Sequence, residues 1–153
     1  MVTLNQMLDF IYHISPSLII VFGGSYYFNK FFIRKNNIAG ILDSLKNETK
    51  EVLNLSINYW SQEKVNTDSS LNQLRSKELE IKQKLQSINV DLISLEIKYK
   101  LKLKNSKDLL TELVDGCTGG TFEQATRDID LTRCDMIIKR SFRFTSSLAT
   151  HKI

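Results

Sequence analysis

The chain has 153 residues, 42% hydrophobic and 25% charged, proportions that fit one folded domain and exclude a purely disordered polar chain. Its net charge of +4 comes from interleaved signs rather than a one-sided basic stripe, so no nucleic-acid partner is expected. A single Pro and six Gly favour long uninterrupted helices. The predicted fold class is all-α: one N-terminal transmembrane helix, a long antiparallel helical hairpin resembling a coiled coil, and a short C-terminal helical segment.

Charge is distributed unevenly. Residues 1–29 carry one formal charge, Asp9, whereas the chain from Lys30 onward is dense in Lys, Asp and Glu. After a short segment, 1–9, the run Phe10–Phe28 holds no charge. At about 1.5 Å per residue it spans about 30 Å, the thickness of a hydrocarbon core, and predicts a transmembrane helix over 10–29. No basic n-region or small-residue cleavage site accompanies it, so removal as a signal peptide is not expected. Lys30, Arg34 and Lys35 follow the run and nothing comparable precedes it. The positive-inside rule then puts the N-terminus outside and 30–153 in the cytoplasm, as in a single-pass protein of a bacterial inner membrane. Tyr12, Tyr26 and Tyr27 suit the two interfacial belts, and Phe31 and Phe32 extend the inner one.

The competing reading is a buried helix of a soluble core, which His13, Ser15, Pro16, Gly23 and Gly24 would suit. A soluble helix of this length would normally show a charged face, and this one has none. Asp9 and His13 share a helix face, but within about one turn of the outer interface both reach water. Ser17 and Gly24, seven apart, hint at helix–helix contact between anchors.

Residues 30–115 are predicted to form the cytoplasmic hairpin. Ile38, Leu42, Leu45, Val52 and Tyr59 keep heptad spacing, with Thr49 filling the expected place, and Leu53, Ile57 and Trp60 widen the stripe. A turn is predicted near 64–70, where Asn66 to Ser70 are all polar and Asp68 or Ser69 can cap the next helix. Leu71, Leu74, Ile81, Leu85, Ile88, Leu92 and Leu95 form the returning seam, interrupted by Glu78. Its phase then slips through Tyr99 and Leu103 towards Leu110 and Leu113, which reads as a stutter in a continuing helix.

Matching arm lengths brings Lys98, Lys100, Lys102, Lys104 and Lys107 back to the level of Lys30, Arg34 and Lys35. The expected contact is with membrane headgroups, each cation adding about 1 kcal/mol at an anionic surface. A solvated lysine face is the plainer reading. KYKLKLK also alternates with period two, as a strand would, but helical spacing on both sides favours helix.

The rest, 116–153, is predicted as a glycine-containing break, a short amphipathic segment and a flexible tail. Gly116 is a natural helix terminator, and Gly119 and Gly120 beside Thr118 and Thr121 make a turn. No P-loop or GxGxxG spacing is present, so no nucleotide or other cofactor is expected. Gly116, Cys117, Gly119, Gly120, Glu123 and Arg127 are the candidate partner-recognition residues, because backbone freedom, a thiol and charge coincide there. Leu131, Cys134, Ile138 and Phe142 fall on one helical face, predicted to pack on the hairpin, with fraying from Thr145.

Two cysteines and two histidines offer no metal-binding spacing, and the cytoplasmic orientation predicts reduced thiols. No nucleophile–base pairing or paired carboxylates point to catalysis, so no catalytic or metal residues are assigned. The sequence therefore predicts a non-enzymatic, single-pass membrane-anchored interaction or scaffold protein. Its expected partners are membrane lipids together with a second copy of itself or an unidentified protein. The alternative is a small toxin-like or defence-type effector that oligomerises and perturbs the bilayer. The layout of one anchor followed by long charged helices is similar to that of the peripheral-stalk b subunits of rotary ATP synthases. It departs from them by lacking an Ala-rich continuous helix and by breaking at Asn66–Ser70.

Overall fold

A computed structural model describes the backbone over residues 4–63, 68–124 and 128–150, and side chains within those ranges except at 4–23 and 68–70. The described residues form four helices and no strand. These are α1 (Leu4–Trp60), α2 (Asp68–Tyr99), α3 (Lys104–Thr118) and α4 (Leu131–Ala149). The chain divides into two compact units, Met1–Asn37 and Ile38–Ile153, with α1 contributing to both.

In the first unit, every described side chain from Gly24 to Asn37 is exposed. Tyr26, Tyr27, Phe28, Phe31, Phe32 and Ile33 are each more than half exposed. Phe28 and Phe32, one turn apart, stack with centroids 6.3 Å from each other. Among the described residues no helix is long and apolar enough to cross a membrane. Most of the expected span, including Asp9 and His13, lies outside the residues whose side chains are described.

The second unit is built from heptad seams. On α1 the buried positions are Ile38, Leu42, Leu45, Thr49, Val52, Ser56 and Tyr59, alternating by four and three; Trp60 is buried beside them. Thr49 is tolerated there because its hydroxyl donates to the Leu45 carbonyl at 2.6 Å. On α2 the buried set is Leu74, Glu78, Ile81, Leu85, Ile88, Leu92, Leu95 and Tyr99, with the same alternation. The side-chain pairs that join the two helices run in opposite directions. Lys77 Nζ donates to Asn58 at 3.1 Å, Tyr59 Oη to Glu78 at 2.6 Å, and Lys84 Nζ to Glu51 at 2.6 Å. Glu78, the polar interruption of the seam, is therefore a buried acceptor for the Tyr59 hydroxyl. Each fully buried Leu or Ile contributes about 1.5–3 kcal/mol, so this row of apolar contacts is the unit's main source of stability.

Two departures from the expected helix boundaries have local causes. The expected stutter after Leu95 is instead a break between two helices. α2 ends at Tyr99, Lys100 adopts the left-handed conformation (φ 57°), and α3 starts at Lys104. The left-handed turn costs about 1–2 kcal/mol at a non-glycine residue. Burial of Tyr99 and Leu103, with Leu101 half-buried, offsets it. The period-two alternation of this stretch thus governs its sidedness, although no strand forms.

Gly116, in turn, does not terminate a helix. It lies inside α3, which runs to Thr118 and is capped by Gly119. A Cβ on Gly116 would meet Arg140 Cδ at 3.2 Å and Ile137 Cγ1 at 3.6 Å, so the missing side chain lets α4 approach closely.

α3 and α4 pack antiparallel. Ser147 Oγ donates to Ser106 Oγ at 3.0 Å, Arg143 pairs with Glu112 at 2.6 Å, and Arg140 with Asp115 at 2.8 Å. α4 buries Cys134, Ile137, Ser141, Phe144, Ser147 and Leu148. Burial of Ser147 and Leu148 carries the helix to Ala149, past Thr145 where fraying is expected from sequence. Of the expected face, only Cys134 is buried. Leu131, Ile138 and Phe142 are exposed, because the stripe Ile137, Ser141, Phe144 and Leu148 is equally regular and faces α3.

Candidate interaction surfaces

The glycine-rich segment after α3 is assembled around the end of α1. Trp60 Nε1 donates to the Cys117 carbonyl at 2.9 Å, and Phe122 packs against Tyr59 and Trp60 with centroids 5.0 and 6.2 Å away. Asp130 N–H donates to the Trp60 carbonyl at 3.0 Å, and Asp130 Oδ1 accepts from Arg133 N–H at 2.8 Å, capping α4.

Arg133 closes this joint. Its guanidinium carbon lies 4.5 Å from the Trp60 ring centroid. Its Nη1 donates to the carbonyls of Gly119 at 2.8 Å and Gly116 at 3.2 Å. A cation held against the carbonyls that end α3 satisfies groups the helix cannot pair itself, and it complements the negative end of the helix dipole. Gly120 takes φ 65° directly beneath Arg133, where a Cβ would meet Nη2 at 2.5 Å.

The residues expected to recognise a partner therefore separate into two groups. Gly116 and Cys117 are internal, and Gly119 caps α3 beside Arg133. Gly120 and Glu123 are exposed, and Glu123 adopts φ 69°. The Glu123 carboxylate pairs with Lys82 of α2 at 2.6 Å, and its N–H donates to Tyr59 Oη at 3.3 Å. Arg127 lies outside the described residues.

Both cysteines are free thiols and both are buried. Burial pushes the Cys117 thiol up to about 11, against the opposing pull of the Ser56 hydroxyl and of Arg140 and Arg133. Such a thiol is a poor nucleophile at neutral pH. Among the described residues, no group of three or more His, Cys, Asp and Glu side chains is placed to hold a metal ion.

The basic candidates are exposed except Lys107, which is half-buried and pairs with Glu96 of α2. Lys98, Lys100, Lys102 and Lys104 project from the break between α2 and α3, while the intervening Tyr99 and Leu103 point inward. Lys98 Nζ also lies 5.4 Å from the Tyr99 ring. Extending the α1–α2 register sets Tyr99 opposite Ile38, so these lysines cluster at the Ile38 end of the second unit. In the first unit, Lys30, Arg34 and Lys35 are exposed among the aromatic side chains.

Sequence reasoning missed Arg133 as the residue that joins α1, α3 and α4. The available signal was the chain's only Trp at a helix end, together with a helix C-terminus that needs a cation. Comparison with known proteins finds no matching family model, no matching curated protein and no matching solved structure.

Proposed function

We propose that this is a non-enzymatic, membrane-anchored helical interaction protein. The observation that carries the reading is the exposed run Tyr26–Ile33, six large apolar side chains interleaved with Lys30 and followed by Arg34 and Lys35. In water each such side chain forgoes about 1.5–3 kcal/mol of burial. An aromatic and basic segment recovers that energy at a headgroup boundary, where rings enter the apolar edge and cations meet anionic lipid.

On this reading Phe10–Phe28 spans the bilayer with the N-terminus outside, and the helical unit 38–153 works on the cytoplasmic side. Lys98, Lys100, Lys102 and Lys104 serve as a second headgroup contact. Gly120 and Glu123, on the exposed side of the joint, are the residues offered to a partner. The test is an alkaline carbonate wash of membranes from cells expressing the full chain. Retention in the membrane pellet supports a spanning anchor, and release into the supernatant contradicts it.

A further inference from the structure

Helix α2 carries two heptad seams, and α1 uses only one of them. The second consists of Leu79, Gln83, Gln86, Val90, Ile93 and Ile97, again alternating by four and three, and each is exposed. Leu79, Val90 and Ile97 are 57%, 56% and 73% exposed. The seam borders a groove of about 710 Å³ between α2 and α3, to which Leu85, Ile93, Leu110 and Val114 contribute apolar lining. A regular apolar seam on a helix whose other seam is already filled is suited to another helix, since knobs-into-holes packing needs this spacing.

We infer that this seam pairs with the same seam of a second copy, parallel and in register. Charge complementarity identifies the occupant. In that arrangement the flanking Arg75 of each copy faces Glu80 of the other, five residues further on, which gives two symmetric pairs of opposite charge. The next flanking positions match Lys82 with Ser87 and Asn89 with Ser94, so no like charges meet. The seam's own chemistry agrees, with one exception. Val90 and Ile97 occupy the positions where β-branched residues favour two strands, and Leu79 the position where Leu does; Ile93, at a position equivalent to Leu79, departs from that pattern.

Antiparallel pairing fits less well. Layering Leu79 on Val90 sets Ile93 against Ser76 and Ile97 against Asn72, and layering Leu79 on Ile97 sets Val90 against Gln86 and Ile93 against Gln83, whereas the parallel register matches each apolar residue with itself.

The pairing does not depend on the membrane anchor, so it is tested on the full chain both in membranes and in detergent. Ser76, exposed and three residues before Leu79, continues the seam, so Ser76→Cys introduces a thiol there without removing an apolar side chain. Asn47→Cys, exposed on α1, serves as the control. Under mild oxidation Ser76→Cys is expected to form a disulfide-linked dimer at least about tenfold faster than Asn47→Cys, because pairing raises the local thiol concentration. Adding Val90→Glu and Ile97→Glu, both at exposed positions, is expected to return the rate to the control level with helical circular dichroism unchanged. Equal rates for Ser76→Cys and Asn47→Cys would overturn the inference. So would cross-linking that appears only when Ser76→Cys is mixed with Ile93→Cys, the antiparallel signature. The carbonate wash reports on the anchor separately, so either idea can fail alone.

Discussion

Arg133 touches three elements at once, through the Trp60 ring, the Gly116 and Gly119 carbonyls and the Asp130 carboxylate at 3.5 Å. Charge-assisted hydrogen bonds contribute about 1.5–3 kcal/mol and a partly desolvated cation–π contact about 1 kcal/mol. Arg133→Ala is therefore expected to lower stability by about 2–4 kcal/mol in urea unfolding. Arg133→Lys should recover only part of this, since an ammonium lacks the planar fork that reaches two carbonyls while stacking on a ring.

Cys117 supplies a prediction in pH. Its thiol is raised from 9.0 to about 11 by burial, so between these values the folded chain holds a proton that the unfolded chain has released. Stability from this group is fully present below about pH 9 and is lost as pH rises through about 11, with a slope of up to about 1.4 kcal/mol per pH unit. Replacing Cys117 with Ser should flatten that slope in denaturation measured across the window. An unchanged slope would assign it to other groups.

Among the elements, the heptad seams were legible because burial in paired helices follows spacing alone. Ile38, Leu42, Leu45, Val52 and Tyr59 are buried on α1, as are Ile81, Leu85, Ile88, Leu92 and Leu95 on α2. The ends of elements were less legible, because tertiary contacts decide them. Gly116 carries a terminator's identity but serves a close helix approach. Lys100 breaks a helix although nothing in its residue type calls for a break. Two equally regular stripes on α4 differed only in which one α3 covers, and a single sequence does not distinguish them.

The break at Lys100 has a test with opposite signs. In the left-handed conformation Lys100→Gly relieves backbone strain and is expected to stabilise by up to about 1 kcal/mol. In a continuous helix the same change would destabilise by about 1 kcal/mol. The shift in urea midpoint distinguishes them.

For the whole molecule, the two units differ in what they leave to solvent. The unit from Ile38 encloses a continuous row of Leu, Ile, Tyr and Trp side chains and stands on its own contacts. The described part of the first unit exposes aromatic rings and cations together, which suits a lipid boundary. The most direct measurement is flotation of the full chain with vesicles of mixed anionic and zwitterionic lipid, beside a Phe31→Glu/Phe32→Glu variant. The full chain is predicted to float with the vesicles, and the variant's bound fraction to fall at the same lipid concentration, because two exposed rings that would enter the bilayer edge become two charges at an anionic surface. A full chain that remains at the bottom of the gradient, or a variant that floats equally well, would contradict the assignment of this segment to the membrane boundary.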